Sequence, residues 1–168
     1  MPSLEQNFSQ TKNSFSACHF LVGFGKCERL HGHNYAVIVN LRYSHDDLSS
    51  AINFRLVNAA IQRELKQLDQ KILLPDDSSV IKIHSSLEGK NWDIIVNNDK
   101  TYSFPKQDTI ILKRIKQTTT ESLAFYLHQK LCTWLQKDHP DIISTLDITV
   151  AENFGNQAKY SGSCVEIR

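Results

Sequence analysis

The chain has 168 residues, of which 40% are hydrophobic and 22% are charged, and this composition excludes an intrinsically disordered protein. The length fits one domain of about 150 residues with a modest insertion. Nineteen lysines and arginines against 18 aspartates and glutamates leave a formal net charge of +1. The broad basic surface that non-specific nucleic-acid binding requires is therefore not expected, and small-molecule chemistry is favoured.

The sequence predicts a cytoplasmic protein with no membrane partner. No uncharged apolar run approaches the roughly 20 residues of a membrane span. The first 15 residues also lack the apolar core that a signal peptide needs.

The four cysteines are Cys18, Cys27, Cys132 and Cys164, and they are spaced irregularly with no C-x-x-C pair. This spacing predicts reduced thiols, and it argues against a disulfide framework or a cysteine-based zinc site. We interpret three of them as small packing residues, and only Cys27 as a candidate for chemistry.

The first third of the chain has the two-residue period of β-strands. Residues of one parity are Phe15, Ala17, His19 and Leu21 in a first run, and His31, His33, Tyr35, Val37, Val39 and Leu41 in a second. Side chains of one parity emerge on one face of a strand. A hairpin that turns at Gly23 and Gly25 would therefore bring His19 beside His31 and His33.

The middle of the chain predicts a helix, a β insertion and a second helix. From Phe54 the apolar spacing becomes that of an amphipathic helix, which ends before Pro75. Residues 76–116 contain several short strand-like runs, which we interpret as a β insertion. A second helix begins at about Thr118 and continues to about Lys137.

The last part of the chain predicts two further strands. The first carries Leu146, Ile148, Val150 and Glu152 on one parity, so a carboxylate prolongs an otherwise apolar face. The second covers roughly 163–167. Since no linker or repeat interrupts the sequence, we expect one domain over residues 1–168.

The tripeptide His31-Gly32-His33 carries the clearest chemical signal. Two imidazoles at positions i and i+2 of a strand converge on one point, and the glycine between them should leave the opposite face uncrowded. With His19 the set offers three nitrogen ligands and leaves a fourth tetrahedral position open, as in catalytic zinc sites. The alternative for the pair is two surface histidines on a strand.

Two further residues are candidates for the same site. Cys27 lies four residues before His31, where the charge of a metal and of Lys26 or Arg29 would favour the reactive thiolate. Glu152 would be costly to bury without N–H donors, which a heterocycle could provide. Its alternative is a carboxylate at a strand end that simply faces water.

Five segments carry a resemblance to a known family: Phe15-x-Ala17-x-His19, Cys27-x-x-x-His31-Gly32-His33, Leu68-Asp69, Thr119-Thr120-Glu121, and Val150-x-Glu152 with Tyr160 following. Together they resemble the 6-pyruvoyltetrahydropterin synthase family, which includes 6-carboxytetrahydropterin synthase. The stretch 76–116 resembles that of the longer archaeal-type members. The resemblance implies an α+β tunnelling fold, in which an antiparallel sheet carries two helices on one face.

The same resemblance implies a zinc-dependent, phosphate-eliminating lyase that acts on 7,8-dihydroneopterin triphosphate. Its site residues would be His19, His31 and His33 as zinc ligands, Cys27 as the proton-abstracting thiolate, Glu152 bound to the pterin ring, and Thr119, Thr120 and Glu121 around the pterin pocket. The family also implies a homo-oligomer, commonly two stacked trimers with active sites between subunits. A 6-carboxy product would lead to the deazaguanine nucleosides queuosine and archaeosine.

Two departures from the family pattern leave alternatives open. The resemblance implies that Asp69 is a catalytic residue, because the family pairs an aspartate and a histidine as a proton relay to the cysteine. Gln70 stands here in place of that histidine, and glutamine cannot exchange a proton at neutral pH, so the alternative for Asp69 is an orienting role only. Glu28 follows Cys27, as in members that cleave dihydroneopterin by a retro-aldol reaction to 6-hydroxymethyl-dihydropterin for folate synthesis. Glu28 would then be the base. A third alternative, raised by Gln70, is a pterin-binding protein without catalysis.

Overall fold

The computed structural model describes residues 3–9, 12–44, 52–140, 143–153 and 155–164. The elements in chain order are β1 Ser3–Phe8, β2 Ser14–His19, β3 His31–Ser44, α1 Phe54–Leu68, β4 Lys71–Pro75, β5 Ile81–Ser85, β6 Asn91–Val96, β7 Lys100–Pro105, β8 Thr109–Leu112, α2 Thr120–Asp138, β9 Ile143–Ala151 and β10 Gln157–Ser163. Short 3-10 turns cover Gly25–Glu28 and Lys106–Asp108.

The main sheet is organised around the long strand β3. Strand β9 pairs with one edge of β3 and also with β10, while β1 and β2 pair in succession along the other edge. Strands β4 and β8 extend the sheet beyond β2, and both of these pairings are parallel. The sheet is therefore mixed, where an antiparallel sheet was expected.

Both helices pack on this sheet, as an α+β fold requires. The buried residues of α1 and α2 join inward-facing residues of β2, β3 and β9 in one hydrophobic cluster. Each helix begins at a capping side chain: Asn53 accepts a hydrogen bond from the N–H of Arg55, and Thr119 accepts one from the N–H of Ser122. The start of α2 lies beside the end of β2, where His19 bonds to the carbonyl oxygen of Thr118.

A second, three-stranded sheet forms within the segment predicted as an insertion. Strands β5, β6 and β7 pair antiparallel, and their apolar face packs on Phe20 and Leu74. The Phe20 and Tyr102 rings stack with centroids 5.1 Å apart. The small sheet thus contacts the residue that directly follows His19.

The assignment of the whole chain to one domain stays a prediction.

Several elements differ from the sequence prediction. Strands β1 and β4 were not predicted, because β1 is largely polar and β4 is a short, continuous apolar run directly after α1, which periodicity cannot distinguish from more helix. The predicted strand at 163–167 lies almost wholly outside the described residues, and the strand observed there, β10, ends at Ser163. None of the described helices combines the length and apolarity needed to cross a membrane.

The prediction of four reduced cysteines was wrong for one pair. Cys132 in α2 and Cys164 after β10 form a disulfide, with their Cα atoms 5.0 Å apart. They are 32 residues apart in the sequence, and only the packing of α2 on β10 brings them together. Cys18 and Cys27 are free thiols.

Candidate metal and substrate site

Three histidines converge at the end of the β2–β3 hairpin. His19 pairs directly with His31 in the strand register, and His33 lies two residues further along β3. One ligand atom from each imidazole lies within 4.8 Å of the others. The hairpin predicted from strand periodicity therefore brings the three predicted metal ligands to one point.

Hydrogen bonds orient two of these rings. Nδ1–H of His19 donates to the carbonyl oxygen of Thr118 at 2.9 Å, and Nδ1–H of His31 donates to that of Arg29 at 2.7 Å. Because a carbonyl only accepts, each Nδ1 carries a hydrogen, and in the neutral form of the ring Nε2 then holds the lone pair. Outer partners of this kind are what orient imidazoles around a bound zinc ion.

His19 is suited to be a ligand because it stays neutral. Its side chain is 0% exposed, and burial lowers the pKa of its imidazole to about 4. A metal ligand must offer an unprotonated nitrogen, so no proton has to be displaced from His19 at neutral pH. His31 and His33 are half-buried.

Gly32, between the candidate ligands His31 and His33 on β3, lies against β2. A Cβ at this position would be 3.3 Å from the carbonyl oxygen of Ala17 and 3.3 Å from Sγ of Cys18. A side chain would therefore crowd this face, and the glycine avoids that. The absence of a side chain at Gly32 allows the close approach of the two strands.

Tyr35 belongs to the same cluster, although the sequence analysis did not select it. Its hydroxyl lies 3.4 Å from Nε2 of His19, and its side chain is fully buried. Burial raises the pKa of Tyr35, so the phenol stays protonated. Its parity with His31 and His33 was visible in the sequence, but a buried aromatic residue is more often part of the core.

Cys27 and Glu28 lie on the loop that joins the two ligand strands. Cys27 is half-buried, and its carbonyl oxygen accepts a hydrogen bond from the N–H of Leu21 at 2.8 Å. Glu28 is exposed, and its Oε1 accepts from the N–H of Gly23 at 2.8 Å. Lys100 of the small sheet donates to the carbonyl oxygen of Glu28 at 3.1 Å. The β insertion therefore contacts the loop that carries both candidate catalytic residues.

A separate cleft of about 360 Å³ contains all four predicted pterin-binding residues. Its lining includes Thr119, Thr120, Glu121 and Glu152, together with Phe24 of the Cys27 loop. The hydroxyl of Thr120 donates to Oε1 of Glu152 at 2.8 Å. Glu152 is half-buried, and its partner Thr120 lies two residues after Thr118, whose carbonyl oxygen accepts the hydrogen bond from His19, so the same short segment contacts both the cleft and the histidine cluster. This carboxylate is held by a protein donor instead of simply facing water.

Asp69 and Gln70 lie between α1 and β4, next to β2. Oδ1 of Asp69 accepts from the N–H of Ser16 at 2.8 Å, and this bond joins the end of α1 to β2. Gln70 has a positive φ of 58° and lines a cleft of about 290 Å³ with Cys18 and His33. The contact of Asp69 is thus to the main chain of β2, which is consistent with an orienting role.

The chain is similar in sequence to proteins of pterin metabolism. A family model described as 6-pyruvoyl tetrahydropterin synthase matches residues 9–163. An Archaeoglobus fulgidus protein, provisionally named as a 6-carboxy-5,6,7,8-tetrahydropterin synthase, is 29% identical over 87 residues. That match covers 48% of this chain and 76% of the relative.

Solved structures agree over nearly the whole chain. A 6-pyruvoyltetrahydropterin synthase from Plasmodium vivax is 27% identical with a TM-score of 0.83, and the match covers 97% of this chain and 99% of that one. The corresponding protein from Plasmodium falciparum is 30% identical with a TM-score of 0.80, over 96% and 98% of the two chains. A Caenorhabditis elegans synthase, 22% identical with a TM-score of 0.58 over 97% and 98%, shares the fold.

Proposed function

Because the chain belongs to the 6-pyruvoyl tetrahydropterin synthase family, whose members are lyases of pterin biosynthesis, we propose that it is a zinc-dependent lyase. Its substrate would be 7,8-dihydroneopterin triphosphate and its product a 6-pyruvoyl or 6-carboxy tetrahydropterin. The observation that carries the proposal is the convergence of His19, His31 and His33 beside the segment that also bonds to Glu152.

The three histidines fit zinc, since two of them present Nε2 with Nδ1–H bound to a carbonyl and His19 is neutral. A bound zinc ion would supply Lewis-acid polarisation, which makes the side-chain hydroxyls of the substrate more acidic. The neighbouring Tyr35 hydroxyl can donate a hydrogen bond within the same space.

The remaining residues bind and orient the substrate or move its protons. Glu152 would accept hydrogen bonds from the amino group and ring N–H of the pterin, with Thr120 holding the carboxylate in place. Thr119 and Glu121 line the same cleft. Cys27, as a thiolate, would accept a proton from the substrate side chain. The catalytic part predicted for Asp69 stays a prediction.

Glu28 is a second candidate base. A Plasmodium vivax synthase, 26% identical to this chain, is known in a form in which a glutamate described as a catalytic residue is replaced by alanine. Glu28 is the carboxylate next to Cys27 on the loop between the ligand strands. The catalytic glutamate described for that synthase is a reason to test Glu28 as a base in addition to Cys27.

The products formed by two variants test these roles. With the zinc-loaded protein and dihydroneopterin triphosphate, we expect a tetrahydropterin product by mass spectrometry, and Cys27→Ala is expected to lower its rate by about 1,000-fold, within the range of general acid–base catalysis. Cys18→Ala, which replaces the other free thiol, is the control and should be as active as the wild type.

Two other outcomes would indicate a different function. If Glu28→Gln abolishes turnover, Cys27→Ala retains part of it and the product is 6-hydroxymethyl-dihydropterin, the chain is a retro-aldol enzyme of folate synthesis. If pterin binds tightly and no product forms at any zinc loading, the chain is a pterin-binding protein.

Replacing Thr120 with valine is expected to weaken pterin binding by about 10- to 100-fold, because a hydrogen bond to a charged group is lost while the side-chain shape is kept. Quenching of pterin fluorescence measures the dissociation constant. Thr133→Val is the matched control: its hydroxyl also lies on α2 but bonds to the carbonyl oxygen of Gln129. Equal affinities for the two variants would contradict the role of Glu152 as the pterin ligand.

We also propose that the protein acts in the cytoplasm as a homo-oligomer of two stacked trimers, and that residues 1–168 form a single domain. The family membership supports this assembly. Light scattering on the purified protein gives the subunit number directly.

A further inference from the structure

We propose that Gln117 is a positioning residue that fixes the Cys27 loop relative to the histidine cluster. Gln117 lies just before α2, and no motif of the sequence analysis includes it. The inference rests on the proposed function, since it concerns the geometry in which Cys27 would act.

The side-chain amide of Gln117 bonds twice to the main chain of one distant residue. Its Oε1 accepts from the N–H of Val22 at 2.9 Å, and its Nε2 donates to the carbonyl oxygen of Val22, also at 2.9 Å. A pair of bonds in opposite directions fixes both the position and the orientation of that residue. Gln117 and Val22 are 95 residues apart and both half-buried.

The loop depends on contacts of this kind. Gly23 and Gly25 both have positive φ values, of 85° and 58°, so the backbone turns where it has most conformational freedom. The N–H of Leu21 donates to the carbonyl oxygen of Cys27 at 2.8 Å and closes the loop on its own beginning. A fixed Val22 therefore also restrains Cys27.

The residues that follow Gln117 contact the other parts of the site. The carbonyl oxygen of Thr118 accepts from Nδ1–H of His19, and the hydroxyl of Thr120 donates to Glu152. One short segment thus contacts the loop, a predicted metal ligand and the predicted pterin ligand. A shift of about 1 Å between such groups can lower a rate by about 100-fold.

Alkylation of the two free thiols tests this inference without any assay of turnover. In zinc-loaded protein treated with iodoacetamide, Gln117→Leu is expected to raise the alkylation rate of Cys27 by about 10-fold, because two hydrogen bonds no longer oppose loop opening. Cys18, exposed on β2, is the internal reference and should react at an unchanged rate. Peptide mass spectrometry follows each thiol separately.

A matched control and a conservative variant complete the experiment. Gln62→Leu removes a half-buried glutamine of α1 that also makes two bonds to one loop, at Lys12 and Asn13, and it should leave Cys27 unaffected. Gln117→Glu keeps the acceptor for Val22 and loses the donor, so its alkylation rate should lie between those of wild type and Gln117→Leu. In steady-state kinetics, Gln117→Leu should lower kcat by about 100-fold and leave KM within a few-fold.

An unchanged Cys27 rate in Gln117→Leu would overturn the inference. Faster reaction of both thiols would overturn it as well, because it would show a general loss of stability. If Gln117→Leu does not fold, a wild-type Cys27 rate in Gln117→Glu overturns it. If the wild type forms no tetrahydropterin but Cys27 responds as expected, the proposed function fails while the positioning role of Gln117 stands.

Discussion

Replacing His31 with alanine is expected to abolish stoichiometric zinc binding and, with it, turnover of the pterin substrate. Loss of an outer hydrogen-bond partner alone weakens metal binding by 10- to 100-fold, so removal of one of three ligands should exceed about 100-fold. His31 is the better position to test than His19, because it is half-buried, whereas His19 is 0% exposed and its loss would open the core. Elemental analysis after dialysis against buffered zinc gives the metal content per chain.

The control for this variant is His84→Ala, which removes an exposed histidine of β5 in the small sheet. It should retain one zinc per chain and normal activity. Stoichiometric zinc at wild-type affinity in His31→Ala would show that the three imidazoles are not the metal site.

Reduction of the Cys132–Cys164 disulfide is expected to lower the free energy of unfolding by about 3 to 4 kcal/mol. The bond closes a loop of 32 residues, and a cross-link of this length removes roughly that much chain entropy from the unfolded state. In a chain of 168 residues, a loss of this size corresponds to a decrease in Tm of about 10 °C. Urea denaturation with and without dithiothreitol measures it.

Two controls isolate the disulfide. Cys18→Ala should keep the full response to reductant, and the double variant Cys132→Ala/Cys164→Ala should show none. A thiol count in denatured, unreduced protein should give only Cys18 and Cys27. Four titratable thiols, together with stability that does not depend on reductant, would show that the bond is not present in the protein.

The convergence of the three candidate metal ligands could be predicted from the sequence because strand periodicity is local. Once His19, His31 and His33 share a parity on paired strands, the pleat alone places them on one face. The same periodicity also placed Tyr35 on that face. Its contact with His19 depends on where the His19 ring lies, and strand periodicity does not give the position of a side-chain ring.

The contacts that support the site could not be predicted in this way. Gln117 meets Val22 across 95 residues, and Thr118 meets His19 across 99. The disulfide likewise depends on the packing of α2 against β10. Contacts between residues so far apart are determined by tertiary packing, and tertiary packing produces no periodic pattern in a single sequence. The parallel strand β4 was missed for another reason: it is a short, continuous apolar run directly after α1, and such a run has no period that separates a strand from a helix.

Gly32 limits which substitutions this site can tolerate. It offers no ligand atom, yet any side chain there would meet the main chain of Ala17, so β2 would have to withdraw from β3 by a few tenths of an ångström. His19 is carried by one of these strands, and His31 and His33 by the other. A saturation survey would therefore find Gly32 as intolerant of substitution as the three candidate ligands. Only the metal affinity measured for variants at each position would distinguish the glycine from the histidines.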